Sequence, residues 1–326
     1  MTHACDHAPD HAPDHGGALD AAIAQFGGAR SEWVDLSTGI NPHRYPLPDF
    51  TPSDWSDLPD HGAMDALLDA ARAFWRVPET AEIIAAPGAS SLISRLPYLR
   101  QPTDIQIARA TYNEHRAAFE SAAWHVVQTP AQSRVVVHPN NPDGRIWRDP
   151  AAPKTGNLLV IDESFCDTCP EQTLIRMTSE PGVVLLKSFG KFWGLAGARL
   201  GFAVGAPETL SRLSDLLGPW PVSGPVLRLG AQALADFRWA EAMRKRLSTE
   251  AAQLDVLMAK YSANLVGGTS LFRLFSVANA QQFHRHLTQN RILCRIFPYS
   301  KTWVRFGLPT CKEDWQHLEK NLENLS

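Results

Sequence analysis

Residues 158–205 read LLVIDESFCDTCPEQTLIRMTSEPGVVLLKSFGKFWGLAGARLGFAVG. The apolar runs at 158–161, 183–186 and 200–204 are too short for helices and do not alternate with polar residues, so they read as strands buried on both faces. Working outward, further β-rich runs stand at 105–108, 125–128 and 135–138, separated by helical patterns at 62–75, 114–123 and 207–217. Strands alternating with helices predict an α/β fold with a mainly parallel sheet covered on both faces. The stretch GPWPVSGP at 218–225 breaks the pattern. Beyond it, helical periodicity at 226–261 leads to strands near 271–277, 292–296 and 303–306 and helices at 281–289 and 312–325, a smaller α+β unit. The expected organisation is a His/Asp-rich tail at 1–14, an N-terminal arm at 15–45, a large domain at 46–224 and a small domain at 225–326.

The 326 residues, 44% hydrophobic and 20% charged, suffice for two folded domains. A net charge of −3 provides no basic field for nucleic acid or an anionic membrane, which leaves small molecules as the expected partners. No window is apolar enough for a transmembrane helix and the first residues lack the order of a secretory signal, so the expected location is the cytoplasm. In the tail, Pro9 and Pro13 interrupt the repeat that carries His7, His11 and His15, which predicts a flexible extension. Cys166 and Cys169 form a CxxC without the second ligand pair of a zinc site, so no metal is assigned and a redox pair stays open.

In a doubly wound sheet, ligands sit outside the carboxyl ends of the strands. The polar residues there are Asn141 in PNNPDG, Asp162 in IDESF, and Ser188 and Lys191 in SFGK, with Arg199 eight residues on. Singly, these are a turn, an N-cap and solvated cations. Together they suit a lysine that condenses with an aldehyde cofactor, and pyridoxal 5'-phosphate (PLP) fits best. Asp162 would keep the pyridine nitrogen protonated, the Asn141 amide would donate to the 3-oxygen, and Tyr112 would lay its ring on the pyridine. Ala89 and Ser90, following Pro87-Gly88, would hold the phosphate with Ser188 and Arg199.

The order PGASS, TYNEH, PNNPDG, IDESF, SFGK and GARLGF resembles the fold-type I PLP-dependent enzymes of the aminotransferase class I/II group. The segments HGGAL (15–19), LSTGINP (36–42), LGPWPVSGP (217–225), VGGTSLFRLF (266–275) and WVRFGLP (303–309) are similar to the threonine-phosphate decarboxylases of the cobalamin pathway. The resemblance implies a PLP-dependent transferase-like fold, with a mainly parallel seven-stranded sheet in the large domain, and a homodimer. It implies Lys191, Asp162 and Tyr112 as the catalytic set, Arg305 as the grip on the substrate α-carboxylate with Asn41 beside it, and His15, Gly16 and Gly17 as a segment closing over the substrate phosphate.

The sequence departs from the group's pattern in two places. Phe165 stands where aminotransferases carry a tyrosine three residues after the aspartate, which favours the decarboxylase branch. Leu58-Pro59-Asp60 replaces a tyrosine-proline-aspartate whose tyrosine reaches the neighbouring subunit's cofactor phosphate. Decarboxylation and a histidinol-phosphate-type transamination use the same residues and differ in which Cα bond is held perpendicular to the ring, so both stay open here, as does a binding protein with a vestigial site. Of the remaining residues, Trp193 and Trp220 flank the site segments, and Arg244, Lys245 and Arg246 read as a solvated helix face.

Overall fold

The computed structural model describes residues 16–148 and 150–324, so the tail and His15 lie outside the described residues. The N-terminal arm contributes α1 (Leu19–Phe26) and β1 (Val34–Asp35), then α2 (Pro52–Ser56) and α3 (His61–Trp75). The large sheet and its helices follow in the order β2 (Glu82–Ala86), α4 (Ala89–Ile93), β3 (Asp104–Ile107), α5 (Asn113–Ser121), β4 (His125–Val127), β5 (Ser133–Val137), β6 (Leu159–Asp162), β7 (Val183–Ser188), β8 (Gly201–Gly205) and α6 (Pro207–Leu217). The remainder comprises α7 (Gly224–Ala235), α8 (Phe237–Ala259), β9 (Asn264–Thr269), β10 (Phe272–Ser276), α9 (Ala280–Gln289), β11 (Ile292–Leu293), β12 (Arg295–Phe297), β13 (Ser300–Phe306) and α10 (Lys312–Glu323).

The quoted apolar runs form the centre of a seven-stranded sheet of order β2-β8-β7-β6-β5-β3-β4. Strands β3 to β7 pair in parallel, while β8 runs antiparallel to both β7 and β2. That single reversal matters for the site. The parallel strands end at one edge, and the register partners Ser188↔Gly201 and Ala86↔Gly201 bring the start of β8 to that same edge. Residues following β2, β3, β5, β6 and β7 and preceding β8 therefore converge. Both faces of this sheet are buried, as the continuous apolar runs require.

The long helical pattern at 226–261 is two helices, separated at Asp236, whose carboxylate caps α8 by accepting from the Trp239 N–H at 2.9 Å. After the 218–225 break the chain returns to the large unit, because α7 packs along α3 before α8 continues. A second sheet, β12-β13-β10-β9, is antiparallel, and β1 from the arm pairs in parallel with β11. No helix among the described residues is long and apolar enough to cross a membrane.

The second sheet docks on the PNNPDG turn without side chains between them. Gly144 has φ +71°, and a Cβ there would overlap the Gly268 backbone, while one on Gly267 would overlap Asp143 O. Gly144→Ala should therefore cost at least ~2 kcal/mol through overlap and left-handed strain, lowering the unfolding midpoint by about 3 °C or more in thermal denaturation. An unchanged midpoint would contradict this packing.

Candidate active site

Beyond the convergent strand ends lies a pocket of about 90 Å³, partly open to solvent. Ala89, Ser90, Tyr112, Asn141, Asp162, Ser188, Lys191 and Arg199 all line it, together with Gly88, Ser164 and Phe165. The predicted cofactor residues are thus brought to one cavity from six different chain segments.

Asp162, the last residue of β6, is buried. Its Oδ2 meets His115 Nε2 at 2.8 Å, and its Oδ1 accepts from the Ser164 backbone N–H at 2.9 Å and from Ser164 Oγ at 2.5 Å. Burial works against the charge, but these donors outweigh it and hold the carboxyl below its usual range. An anion fixed in this way suits a protonated pyridine nitrogen. His115, in the first turn of α5 and fully buried, was missed in the sequence, where a lone histidine on a short amphipathic helix looks like surface. The signal that would have found it is the need of a buried aspartate for a donor, met three residues after Tyr112.

Lys191 is partly buried in the turn after β7. Burial, then the positive charge of Arg305, lowers its pKa to about 8 against the opposing pull of Asp162, with Arg199 adding to the lowering. A lysine held there is substantially neutral, and hence nucleophilic, at mildly alkaline pH. Capture of PLP by cofactor-free protein should therefore accelerate as pH rises to about 8 and level off above it. Stopped-flow mixing checks this; a rate still climbing toward the ordinary lysine range near 10.5 would contradict it.

At the opposite end, Gly88 (φ +83°) caps the start of α4, and a Cβ there would come within 2.7 Å of Arg199 Nη2. The guanidinium thus lies directly against the glycine, beside the backbone of Ala89 and Ser90 and near Ser188. Backbone, hydroxyl and guanidinium donors converging on one end of a cavity are the donor set a phosphate needs. Burial, with the Glu114 and Asp162 carboxylates, pushes the Tyr112 phenol up to about 12; it also hydrogen-bonds Ser90. It therefore remains a neutral ring at the pocket wall. Charged, hydrogen-bonding and stacking groups are placed to receive the nitrogen, aldehyde, 3-oxygen and phosphate of PLP, so the residues present fit the cofactor.

The residues expected to bind substrate lie where the arm meets the second sheet. Arg305 on β13 is buried; its Nη1 donates to Asn141 Oδ1 and its Nη2 to Ser37 O at 2.6 Å. Its Nε has no partner, and among the described residues no carboxylate pairs with it. The bond from Arg305 fixes the Asn141 amide, leaving its NH2 as the donor for the pocket. Arg295, the cross-strand partner of Arg305, was also missed, because that pairing is set by the register of β12 on β13 and not by local pattern. Burial and then Arg295 bring the Arg305 pKa down to about 10. Gly16 and Gly17 lie here: Gly17 N–H donates to Ser37 Oγ at 2.8 Å, and Gly16 packs against Ser37 O near Arg305. His15 lies outside the described residues.

Asn41 is buried and bonded to the lysine turn. Its Nδ2 donates to Phe192 O at 2.7 Å, its Oδ1 accepts from His43 N–H, and its backbone N–H bonds Lys191 O. These bonds tie the arm to the lysine turn and leave one Nδ2 hydrogen unused. Phe165 is buried with its ring 5.6 Å from Lys191 Nζ and edge-on to Phe272. Trp193 stacks between Phe189 and Trp239 behind the lysine and does not line the pocket, while Trp220 is exposed. Arg244 is not solvated as expected: it donates to Asp167 O at 2.7 Å and packs over Phe74 and Phe192.

Residues 64–318 match the model of the family described as aminotransferase class I and II. The threonine-phosphate decarboxylase of Pseudomonas aeruginosa is 33% identical over 94% of this chain and 96% of its own. That of a Sinorhizobium species is 35% identical over 90% and 92%. Among solved structures, the histidinol-phosphate aminotransferase of Sinorhizobium meliloti in complex with pyridoxal-5'-phosphate superposes with a TM-score of 0.78 at 17% identity, covering both chains in full. The chain belongs to the aminotransferase class I and II family.

Proposed function

We propose that this chain is a PLP-dependent carboxy-lyase that converts L-threonine O-3-phosphate to (R)-1-amino-2-propanol phosphate and CO2. The observation that carries this reading is the end-to-end similarity to two threonine-phosphate decarboxylases, which spans the arm and the second sheet as well as the cofactor site. The surroundings of the pocket support it: buried Arg305, bonded to the pocket residue Asn141 and with Arg295 as its cross-strand partner, suits a substrate bearing two anionic groups.

When bound, PLP supplies an electron sink for the pair released as the carboxylate leaves Cα. Asp162, charged and held by His115 and Ser164, keeps a proton on the pyridine nitrogen. Asn141 presents its NH2 to the 3-oxygen. Arg305 orients the substrate anion, and that orientation decides which Cα bond stands perpendicular to the ring. Lys191 is the amine placed to return a proton to Cα. Phe165 borders the lysine with a ring and no hydroxyl, leaving the 3-oxygen with one fewer donor than a tyrosine would give. We also take the enzyme to act in the cytoplasm as a homodimer. Trp55, Leu58 and Trp220, each well over half exposed, support a covering second copy.

The test is to supply L-threonine O-3-phosphate without any oxoacid. Release of CO2 with stoichiometric amine phosphate is expected. Turnover only when 2-oxoglutarate and histidinol phosphate are supplied would replace the reading with transamination.

A further inference from the structure

The turn after Asp162 carries a feature the proposed reaction does not use. Cys166–Thr168 is a single 3-10 turn, capped by Phe165 before it and Cys169 after it. In a 3-10 turn, side chains three residues apart eclipse one another, so a CxxC on this backbone places both sulfurs on one side. The Cys169 N–H bonds Cys166 O at 2.9 Å, which closes the turn, and Cys166 Sγ lies 3.7 Å from Cys169 O. Cα atoms spanning such a turn fall within the range a disulfide requires.

The two thiols are not equivalent. Cys166 is fully buried against the Lys187–Glu163 ion pair, whereas Cys169 is partly exposed. Thr168 Oγ1 points at Cys169 Sγ from 3.8 Å, and Arg244, bonded to Asp167 O, lies over the same turn. The hydrogen bond between the thiols pulls the Cys169 pKa below its usual value and raises that of Cys166. A metal does not account for the cluster. Although His138, Glu163 and Cys166 present ligand atoms within 4.8 Å of one another, both His138 nitrogens are taken by the Trp147 N–H and Gln172 O. Glu163 is likewise held by Lys187, Thr173 and the Leu174 N–H.

We propose that Cys166 and Cys169 are a redox-active pair that closes reversibly to a disulfide when exposed to a low-molecular-weight disulfide, with Cys169 reacting first and Cys166 resolving. Cys169 sulfur attacks the oxidant's S–S bond, forming a mixed disulfide and releasing one thiol, which carries the Cys169 proton. Cys166 sulfur then displaces the second half of the oxidant from Cys169, and its proton leaves on that second thiol. The pair loses two electrons and the oxidant gains them. The link reaches the pocket through Phe165, which caps the turn, accepts from Thr168 Oγ1 at 2.8 Å and sets its ring beside Lys191. Closing the bond therefore slows turnover reversibly.

The experiment treats native holoenzyme with glutathione disulfide, alkylates the remaining thiols and digests with trypsin, which leaves both cysteines on one peptide, 155–176. The expected product is that peptide unalkylated and lighter by two hydrogens, with activity lost in parallel and restored by dithiothreitol. Cys166→Ser should instead trap glutathione on Cys169, and Cys169→Ser should form no bond. The exposed Cys311 serves as the internal control. Full alkylation of both thiols while Cys311 carries glutathione would overturn the pair. A disulfide that forms with unchanged turnover would overturn the link through Phe165. The thiol readout does not depend on which substrate the enzyme takes, so its failure and failure of the decarboxylase reading are distinguishable.

Discussion

Lys191→Ala is expected to lower decarboxylation by at least ~10³-fold, the loss that follows when a positioned proton donor is removed together with the covalent anchor of a cofactor. The same variant should lose the visible absorbance that the lysine's bond to PLP confers. The unfolding midpoint of the cofactor-free protein, by contrast, should stay level or rise. The ammonium sits partly buried between two other cations, Arg305 and Arg199, and only Asp162 favours its charge. Truncation relieves that repulsion and leaves Asp162 its bonds to His115 and Ser164. Loss of activity with retained stability is the signature of a chemical role, measured by CO2 release alongside thermal denaturation. Activity within tenfold of the parent would remove Lys191 from the mechanism.

The legible part of this site is the part carried by chain order. Residues 158–205 place an aspartate and a lysine after successive buried parallel strands and an arginine just before an antiparallel one, and such ends meet at one edge whatever the loops do. Strand β2 was not legible, because EIIAA is short and begins on an exposed glutamate; it is a strand only by pairing with β8. Strand β9, NLVGGT, was hidden by two glycines whose purpose is to let backbone approach backbone at Asp143 and Gly144. His115 and Arg295 depend on tertiary partners that local pattern does not encode. Asn41 likewise bonds Phe192 and His43, since a Pro-rich segment with few internal bonds must borrow them from what it wraps. Arg244 followed the same rule: its helical spacing reads as solvated, yet it reaches the Asp167 carbonyl.

Arg305→Leu is expected to reduce kcat/KM for L-threonine O-3-phosphate by about two to three orders of magnitude, the range for truncating one partner of a buried, hydrogen-bonded charge pair. Two features make the guanidinium a receptor for substrate and not a structural strut. Its Nε is buried without a partner, and it rests on the Phe272 ring with no carboxylate among the described residues to neutralise it. Leucine removes an isolated buried charge but leaves Asn141 Oδ1 and Ser37 O without their donor, so the two effects oppose each other and stability should change little. Arg305→Lys keeps a cation but not the fork that holds both Asn141 and Ser37, and should recover no more than about a tenth of the activity. The pH profile gives an independent check. Burial and the neighbouring Arg295 lower the Arg305 pKa to about 10, so the parent should lose its grip on the anion as pH rises through that value, with KM climbing. The leucine variant has no such group to titrate, and its KM should stay flat across the same interval. A leucine variant that keeps the parental kcat/KM, or that still shows the alkaline rise in KM, would assign the anion to another cation in the pocket.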